Sequence, residues 1–305
     1  MVLDFYNKLL NVLQSESRLI LMVVIANEGS SPGRKGFKML VSQNQMHGTI
    51  GGGIMEHKLV EYARSLLTKP PFSPFIKHQI HDKAAPTDQS GMICSGQQTI
   101  AFYDFALQSA SVFESLISGK ENTLYYSEEG ITTELNDTKP HSWKFHESIA
   151  PPQRVYIVGG GHVGLALSEV LSRLDFEIHI LDNRENLNTM MANNFAHYRQ
   201  TVEFEEIEKN IPEGNDVYVV IMSFGYRTDD IIVRRLLGKK IKYIGLMGSK
   251  EKISTLFTNL VADGFDEKQL DLIHAPIGID IKSETTQEIA ISVAAQLISV
   301  KNKTT

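Results

Sequence analysis

A single cysteine, Cys94, stands in the 305-residue chain, so no intrachain disulfide framework can staple it, which fits a reducing compartment. Long hydrophobic runs are also missing. The longest, residues 19–26, is far too short to cross a bilayer. Basic charge is not in excess either: 30 Lys and Arg stand against 36 Asp and Glu, for a net charge of −6. That balance disfavours a nucleic-acid binder, which needs a basic face for phosphates. The opening Met1-Val2-Leu3-Asp4 carries an early acid and no basic n-region, so no secretory signal is expected. These absences together predict a soluble cytoplasmic protein without membrane or nucleic-acid partners.

What is present divides into two rhythms. Leu3, Phe5, Tyr6, Leu9, Leu10, Val12 and Leu13 recur at helical spacing and predict an opening amphipathic helix. Residues 19–25 are apolar and β-branched, as a buried strand should be. After Gly29-Ser30-Ser31-Pro32-Gly33-Arg34-Lys35-Gly36 a second strand is expected over 37–41 and a polar turn over 43–48. Thr49-Ile50-Gly51-Gly52-Gly53 then feeds a helix over 54–67 that Pro70 and Pro71 end. Strands over 76–81 and 98–105 flank a long polar loop, 82–96. A helix over 108–118 and weak strands near Leu124 and Ile131 complete this half. Residues 136–152 are polar, hold Pro140, Pro151 and Pro152, and read as a linker.

From Arg154 onward strands (155–158, 178–182, 217–222, 243–247, 272–274) alternate with helices (163–174, 228–237, 250–262, 286–300). The last helix opens on Thr285-Thr286-Gln287-Glu288, a capping-box spacing. Such alternation predicts a Rossmann-like, doubly wound parallel sheet over 153–305, beside a smaller N-terminal α+β domain over 1–135.

Gly159, Gly161 and Gly164 satisfy G-x-G-x-x-G between a strand and a helix. The first glycine permits the tight turn, the second lets backbone approach a phosphate, and the third allows close helix packing. Asp182 closes the next strand, where an acid can accept from ribose hydroxyls, with Arg184 nearby. NAD(P) is therefore a possible ligand, and a loop that merely turns the chain is the alternative. Gly248 and Ser249, at a helix start, could offer amides to an anion or form an ordinary N-cap. For hydride transfer, no Tyr-x-x-x-Lys pair occurs, and His162, His179 and His274 are isolated.

In the first half, Gly29-Ser30-Ser31-Pro32-Gly33 fits the G-x-S-x-G pattern, but a strand-like run follows it, so a nucleophile elbow is rejected. Gly51, Gly52 and Gly53 precede a helix and form a candidate phosphate cradle. Glu56, in that helix's first turn, is a candidate catalytic or ligand-holding residue, or simply complements the helix dipole. Cys94 lies in Gly91-Met92-Ile93-Cys94-Ser95-Gly96, a setting that hints at an accessible thiol. His78, His81 and Asp82 would not converge from a strand, so no metal site is expected.

Six ordered segments carry a resemblance. Gly29-Ser30-Ser31-Pro32-Gly33-Arg34, Gly48-Thr49-Ile50-Gly51-Gly52-Gly53-Ile54-Met55-Glu56 and Cys94-Ser95-Gly96 come first. Val158-Gly159-Gly160-Gly161-His162-Val163-Gly164, Tyr243-Ile244-Gly245-Leu246-Met247-Gly248-Ser249-Lys250 and Ala275-Pro276-Ile277-Gly278-Ile279-Asp280 follow. Nearly the whole chain resembles the XdhC/CoxI family, the xanthine dehydrogenase accessory proteins. The resemblance implies a chaperone that binds molybdenum cofactor (molybdopterin), supports its sulfurated form and delivers it to a molybdenum hydroxylase apo-enzyme. A cysteine desulfurase would be a further partner, and a homodimer is the expected assembly. Cys94, Glu56 and the Gly51-Gly52-Gly53 loop would face the glycine turn and Asp182 across the cargo. Two places depart from the usual family pattern: Ser95 replaces the first of two glycines after the cysteine, and Ser223-Phe224-Gly225-Tyr226-Arg227 stands where many relatives carry a histidine. An NAD(P)-dependent oxidoreductase and a dinucleotide-sensing protein are the other readings.

Overall fold

The computed structural model describes residues 2–80, 96–134, 140–149 and 151–303. The chain divides into two compact units, Met1–Ala150 and Pro151–Thr305.

In the first unit, helix α1 (Val2–Ser15) leads into strands β1 (Arg18–Gly29), β2 (Lys38–Val41) and β3 (Met46–Gly48), then helix α2 (Gly53–Leu67). Strands β4 (Phe75–Ile80) and β5 (Gly96–Ala106), helix α3 (Ser111–Ile117), and strands β6 (Thr123–Ser127), β7 (Gly130–Thr132) and β8 (Lys144–Ser148) follow. An antiparallel sheet runs β3-β2-β1-β5-β4, with β1 at its centre. Successive side chains of a strand face opposite ways. Leu19, Leu21 and Val23 therefore pack on Tyr6, Leu9 and Leu13 of α1, while Ile20, Met22 and Val24 pack on Leu59, Val60 and Ala63 of α2. Both faces of β1 are covered, which is why its sequence is apolar without alternation.

A second, three-stranded sheet runs β7-β6-β8. It corrects the expected linker, because β8 lies inside residues 136–152 and pairs Phe145 with Tyr126 of β6. Phe145 is the one buried residue of that strand, too little for a periodic signal. The helix expected over 108–118 starts only at Ser111, after a 3-10 turn over Leu107–Ser109.

The second unit comprises β9 (Gln153–Val158), α4 (His162–Leu171), β10 (Phe176–Asp182), α5 (Asn188–Met191), β11 (Tyr198–Thr201), β12 (Gly214–Ile221) and α6 (Tyr226–Leu236). It continues through β13 (Ile241–Leu246), α7 (Lys250–Ala262), α8 (Glu267–Leu270), β14 (Ile273–His274) and α9 (Thr286–Asn302). Six parallel strands lie in the order β11-β10-β9-β12-β13-β14. One face buries Val155, Ile157 and Ile180 against Leu167 of α4 and Val293 and Leu297 of α9. The other buries Val158, Val219 and Ile221 against Ile232 of α6 and Leu256 and Leu260 of α7. The capping box at Thr285 and Glu288 is formed. The doubly wound parallel sheet and the smaller antiparallel N-terminal unit match the expected fold class. Among the described residues, no helix is long and apolar enough to cross a membrane.

Numbered within the unit, the strand order is 3-2-1-4-5-6. The chain winds outward from β9 in one direction, then restarts at β12 in the other. In sheets of this order ligands bind beyond the carboxyl ends of the strands at the switch point, which here falls between β9 and β12.

Candidate functional site

In the first unit, the loop between β3 and α2 carries three consecutive glycines with positive φ (129°, 76° and 73° at Gly51, Gly52 and Gly53). A Cβ on Gly51 would fall 2.6 Å from the Gly33 amide nitrogen, so this loop lies backbone to backbone against the Gly29-to-Arg34 segment. The expected phosphate cradle is already occupied by a carboxylate of the chain itself. Glu56 Oε2 accepts from the Thr49 hydroxyl at 2.6 Å, the Ile50 amide at 2.9 Å and the Gly52 amide at 3.0 Å, while the Gly51 amide donates to Thr49 Oγ1. Burial pushes the Glu56 pKa up. The hydrogen bonds from Thr49, Ile50, Gly52 and Gly51 outweigh it and hold the carboxyl below its ordinary range.

Beneath these loops sits Gln98 of β5, buried and fully engaged. Its Oε1 accepts from Ser31 Oγ (2.8 Å) and the Gly33 amide (2.9 Å); its Nε2 donates to the Ile50 carbonyl (3.2 Å) and Gln79 Oε1 (2.6 Å). Ser31 is buried in this network and leads to β2 through Gly36 rather than to a helix, in keeping with the rejected nucleophile elbow. A Cβ on Gly96 would approach the Ser31 amide to 2.5 Å, so the last residue of Cys94-Ser95-Gly96 meets the Gly29-to-Arg34 segment. Cys94, Ser95, His81 and Asp82 lie outside the described residues; His78 Nδ1 lies 3.0 Å from Thr99 Oγ1. No sequence rule singles out Gln98, because a polar residue in a strand looks solvent-facing until both neighbouring loops are placed. Gln98→Leu strands the Ser31 hydroxyl and the Gly33 amide, and is expected to lower stability by about 2–3 kcal/mol in urea unfolding.

In the second unit, Gly159 has φ 127°, and a Cβ there would fall 2.3 Å from the Met222 carbonyl oxygen. A Cβ on Gly164 would fall 2.3 Å from the Gly159 carbonyl oxygen. Gly161, the N-cap of α4, has nothing within 4 Å of the place a Cβ would take. Two glycines are thus demanded by packing, and the middle one faces open space at a helix start, where free amides and the positive dipole end point outward.

Asp182 does not stand ready for ribose hydroxyls. It is 1% exposed, and its Oδ2 accepts from the Gly160 amide (2.7 Å) and Arg184 Nη2 (2.8 Å). Its Oδ1 takes the Arg184 amide (2.9 Å) and Arg184 Nε (2.8 Å). Burial pushes this carboxyl up, but the bonds from Arg184 and Gly160 prevail and hold it below its usual range. The acid fastens the glycine turn to Arg184, whose guanidinium lies 4.8 Å from the Phe224 ring centroid.

Ser249 is the ordinary N-cap of α7, accepting from the Lys252 amide at 3.2 Å. Beside Gly248 lies a cavity of about 510 Å³, walled by Met247, Gly248, Lys250, Pro276, Gly278 and Asp280. It brings two of the six motif segments together. Beyond sequence reach lies Asp229 in the first turn of α6, 0% exposed. It accepts from Ser223 Oγ and from Lys252 Nζ, and Ser223 Oγ is 2.6 Å from Thr228 Oγ1. Burial pushes the Asp229 pKa above its ordinary value despite Lys252 and Ser223.

Two family models match the chain: the XdhC Rossmann domain over residues 155–297, and the XdhC and CoxI family over residues 12–71. The chain belongs to the XdhC and CoxI family. The first XdhC range holds the glycine turn, Asp182, Asp229, Gly248 and Lys252; the second holds Gly51, Gly52, Gly53 and Glu56; Cys94 falls in neither. Among relatives, the uncharacterised protein YqeB of Escherichia coli is 25% identical over 280 residues, covering 92% of this chain and 43% of YqeB. The chain thus spans less than half of that relative. A Bacillus subtilis protein, named as a probable xanthine dehydrogenase component, is 21% identical, with 98% of each chain covered. A crystal structure of a xanthine dehydrogenase from Bacillus halodurans superposes with TM-score 0.79 at 23% identity, covering 98% of this chain and 96% of that one. At that identity the likeness concerns the XdhC fold alone.

Proposed function

We propose that the chain is a xanthine dehydrogenase accessory protein that binds molybdenum cofactor as cargo, supports its sulfurated form and delivers it to the apo-enzyme of a molybdenum hydroxylase. The carrying observation is the glycine turn at the start of α4. Gly159 and Gly164 are demanded by packing while Gly161 is left open, which suits a ligand phosphate on backbone amides. Family membership and the name of the Bacillus subtilis relative support the client class. The cavity beside Gly248, with Lys250 and Lys282 on its wall, offers room and cations for a phosphorylated ring compound. A cysteine desulfurase as sulfur donor and a homodimeric assembly complete the proposal, with Cys94 as the thiolate that would meet soft molybdenum or its sulfur.

Purified protein is to be mixed with molybdopterin released from a molybdenum hydroxylase, and retained pterin read by fluorescence after ultrafiltration. Wild type is expected to retain the pterin, Gly161→Val to lose most of it, and Cys94→Ala to retain less. Absence of binding by wild type sinks the reading.

The strand order 3-2-1-4-5-6 favours a second reading, an NAD(P)-dependent oxidoreductase or a dinucleotide sensor. Asp229 and Lys252 would then supply proton-handling groups on the β12–β13 side. Turnover of nicotinamide absorbance with a carbonyl compound distinguishes the oxidoreductase, and a dinucleotide-dependent scattering change without turnover the sensor.

A further inference from the structure

A second cavity of the Rossmann unit, about 350 Å³, is lined by the segment after β10, by α5 and by Arg199 and Thr201 of β11. Leu187, Met190 and Met191 supply its apolar lining, and Arg184 and Arg199 its charge. It adjoins the glycine turn directly: a Cβ on Gly160 would meet Leu187 Cδ2 and Met190 Cβ at 3.3 Å each, and Thr189 Oγ1 donates to the Gly160 carbonyl. In a sheet of this order, that half of the crevice receives the nucleoside next to the phosphate-binding turn. The volume lies within the range of small-molecule sites, and thioether and leucine side chains adapt to the face of a planar base.

Both Asp182 oxygens are taken by Gly160 and Arg184. A ribose hydroxyl would have to displace one of those bonds to reach the carboxylate. Arg184 presents the opposite preference. Its Nε and Nη2 edge is spent on Asp182 and its face rests on Phe224, yet a guanidinium has further N–H donors. The side chain is thereby held in place with donors to spare. Arg199 donates to the Asn193 carbonyl at 2.8 Å, a neutral acceptor, so its positive charge also reaches the cavity wall.

We propose that this cavity is a nucleotide site selective for a 2′-phosphate on the ribose, with Arg184 and Arg199 as its cations and Asp182 as the residue that positions Arg184. A 2′-phosphorylated nicotinamide dinucleotide would bind there in preference to its unphosphorylated counterpart. The inference rests on the dinucleotide reading and shares the glycine turn with the molybdenum cofactor reading; pterin retention without a preference among the nucleotides below would overturn this inference alone.

Isothermal titration of the full chain with NADP⁺, NAD⁺, 2′,5′-ADP and AMP tests it. NADP⁺ and 2′,5′-ADP are expected to bind at least about tenfold tighter than NAD⁺ and AMP, as a paired, charge-assisted phosphate contact implies. Arg199→Met should reduce that preference at least about threefold while leaving NAD⁺ affinity within about twofold. Arg184→Met should abolish it, but leaves Asp182 buried without its partner, so the exposed Arg199 is the deciding position, with circular dichroism to show that the variant is folded. Equal affinities for the ligands with and without the 2′-phosphate, no binding of either at millimolar concentration, or an unchanged preference in Arg199→Met would each overturn the proposal.

Discussion

Replacing Gly159 by alanine is expected to cost the C-terminal unit about 3–5 kcal/mol in urea unfolding. Two penalties combine at this position. The backbone sits at φ 127°, a region that L side chains rarely adopt. The added methyl would stand 2.3 Å from the Met222 carbonyl oxygen and 2.7 Å from its carbon, backbone that directly follows β12 and is tied to β9 by the Met222 amide's bond to the Val158 carbonyl. The control is Gly161→Ala, two residues on. Gly161 has φ −70° and open space around its would-be Cβ, so alanine there should change stability by no more than about 1 kcal/mol. If the glycine turn is a ligand cradle, Gly161→Ala should weaken ligand binding while the fold stays intact. A Gly159→Ala protein as stable as wild type would show that the strand-to-helix turn has another conformation within reach.

The contrast between those glycines marks what the sequence can and cannot reveal. The strand-turn-helix context of Gly159, Gly161 and Gly164 is legible, as are α7 and the capping box of α9, because each rests on local spacing. Strand β11 is not. All of Tyr198, Arg199, Gln200 and Thr201 are exposed, so this edge strand carries no apolar alternation and is defined by pairing with β10 alone. The two acids do lie beside the glycine loops, but their employment differs from the expected one. Glu56 and Asp182 each stand next to amides that a ligand could use, and each takes those amides itself. Spacing shows that an acid and a row of N–H groups are neighbours; whether the acid or a guest anion accepts from them depends on side-chain reach of an ångström or so. Gln98 and Asp229 are invisible for a related reason. Gln98 draws partners from 19 to 67 positions away, and Asp229 meets Lys252 23 positions on. Only the packed sheets bring them together.

Lys252→Met is expected to destabilise the protein by about 2–3 kcal/mol at neutral pH, and by much less near pH 4. Lys252 is the cation that reaches Asp229, whose side chain is 0% exposed while that of Lys252 is 29% exposed. Removing it leaves a buried carboxylate with Ser223 alone as hydrogen-bond donor. The sign of the pH dependence follows from the raised pKa of Asp229. A carboxyl whose folded pKa exceeds its unfolded value of about 3.9 holds its proton more tightly in the folded protein. Its contribution to stability is complete below that unfolded value and is lost as pH rises through the folded one. Losing Lys252 lifts the folded pKa further, so the loss widens as pH rises from about 4. Asp229→Asn should behave oppositely, leaving the lysine head, which can turn to water, without a buried charge to serve. The double variant should therefore recover most of the stability that Lys252→Met loses, with a coupling of about 1–3 kcal/mol in the cycle. Urea midpoints for the four proteins between pH 4 and pH 8 measure it. Additive effects with no pH trend would mean that Ser223 alone keeps Asp229 satisfied, and that Lys252 is a bystander.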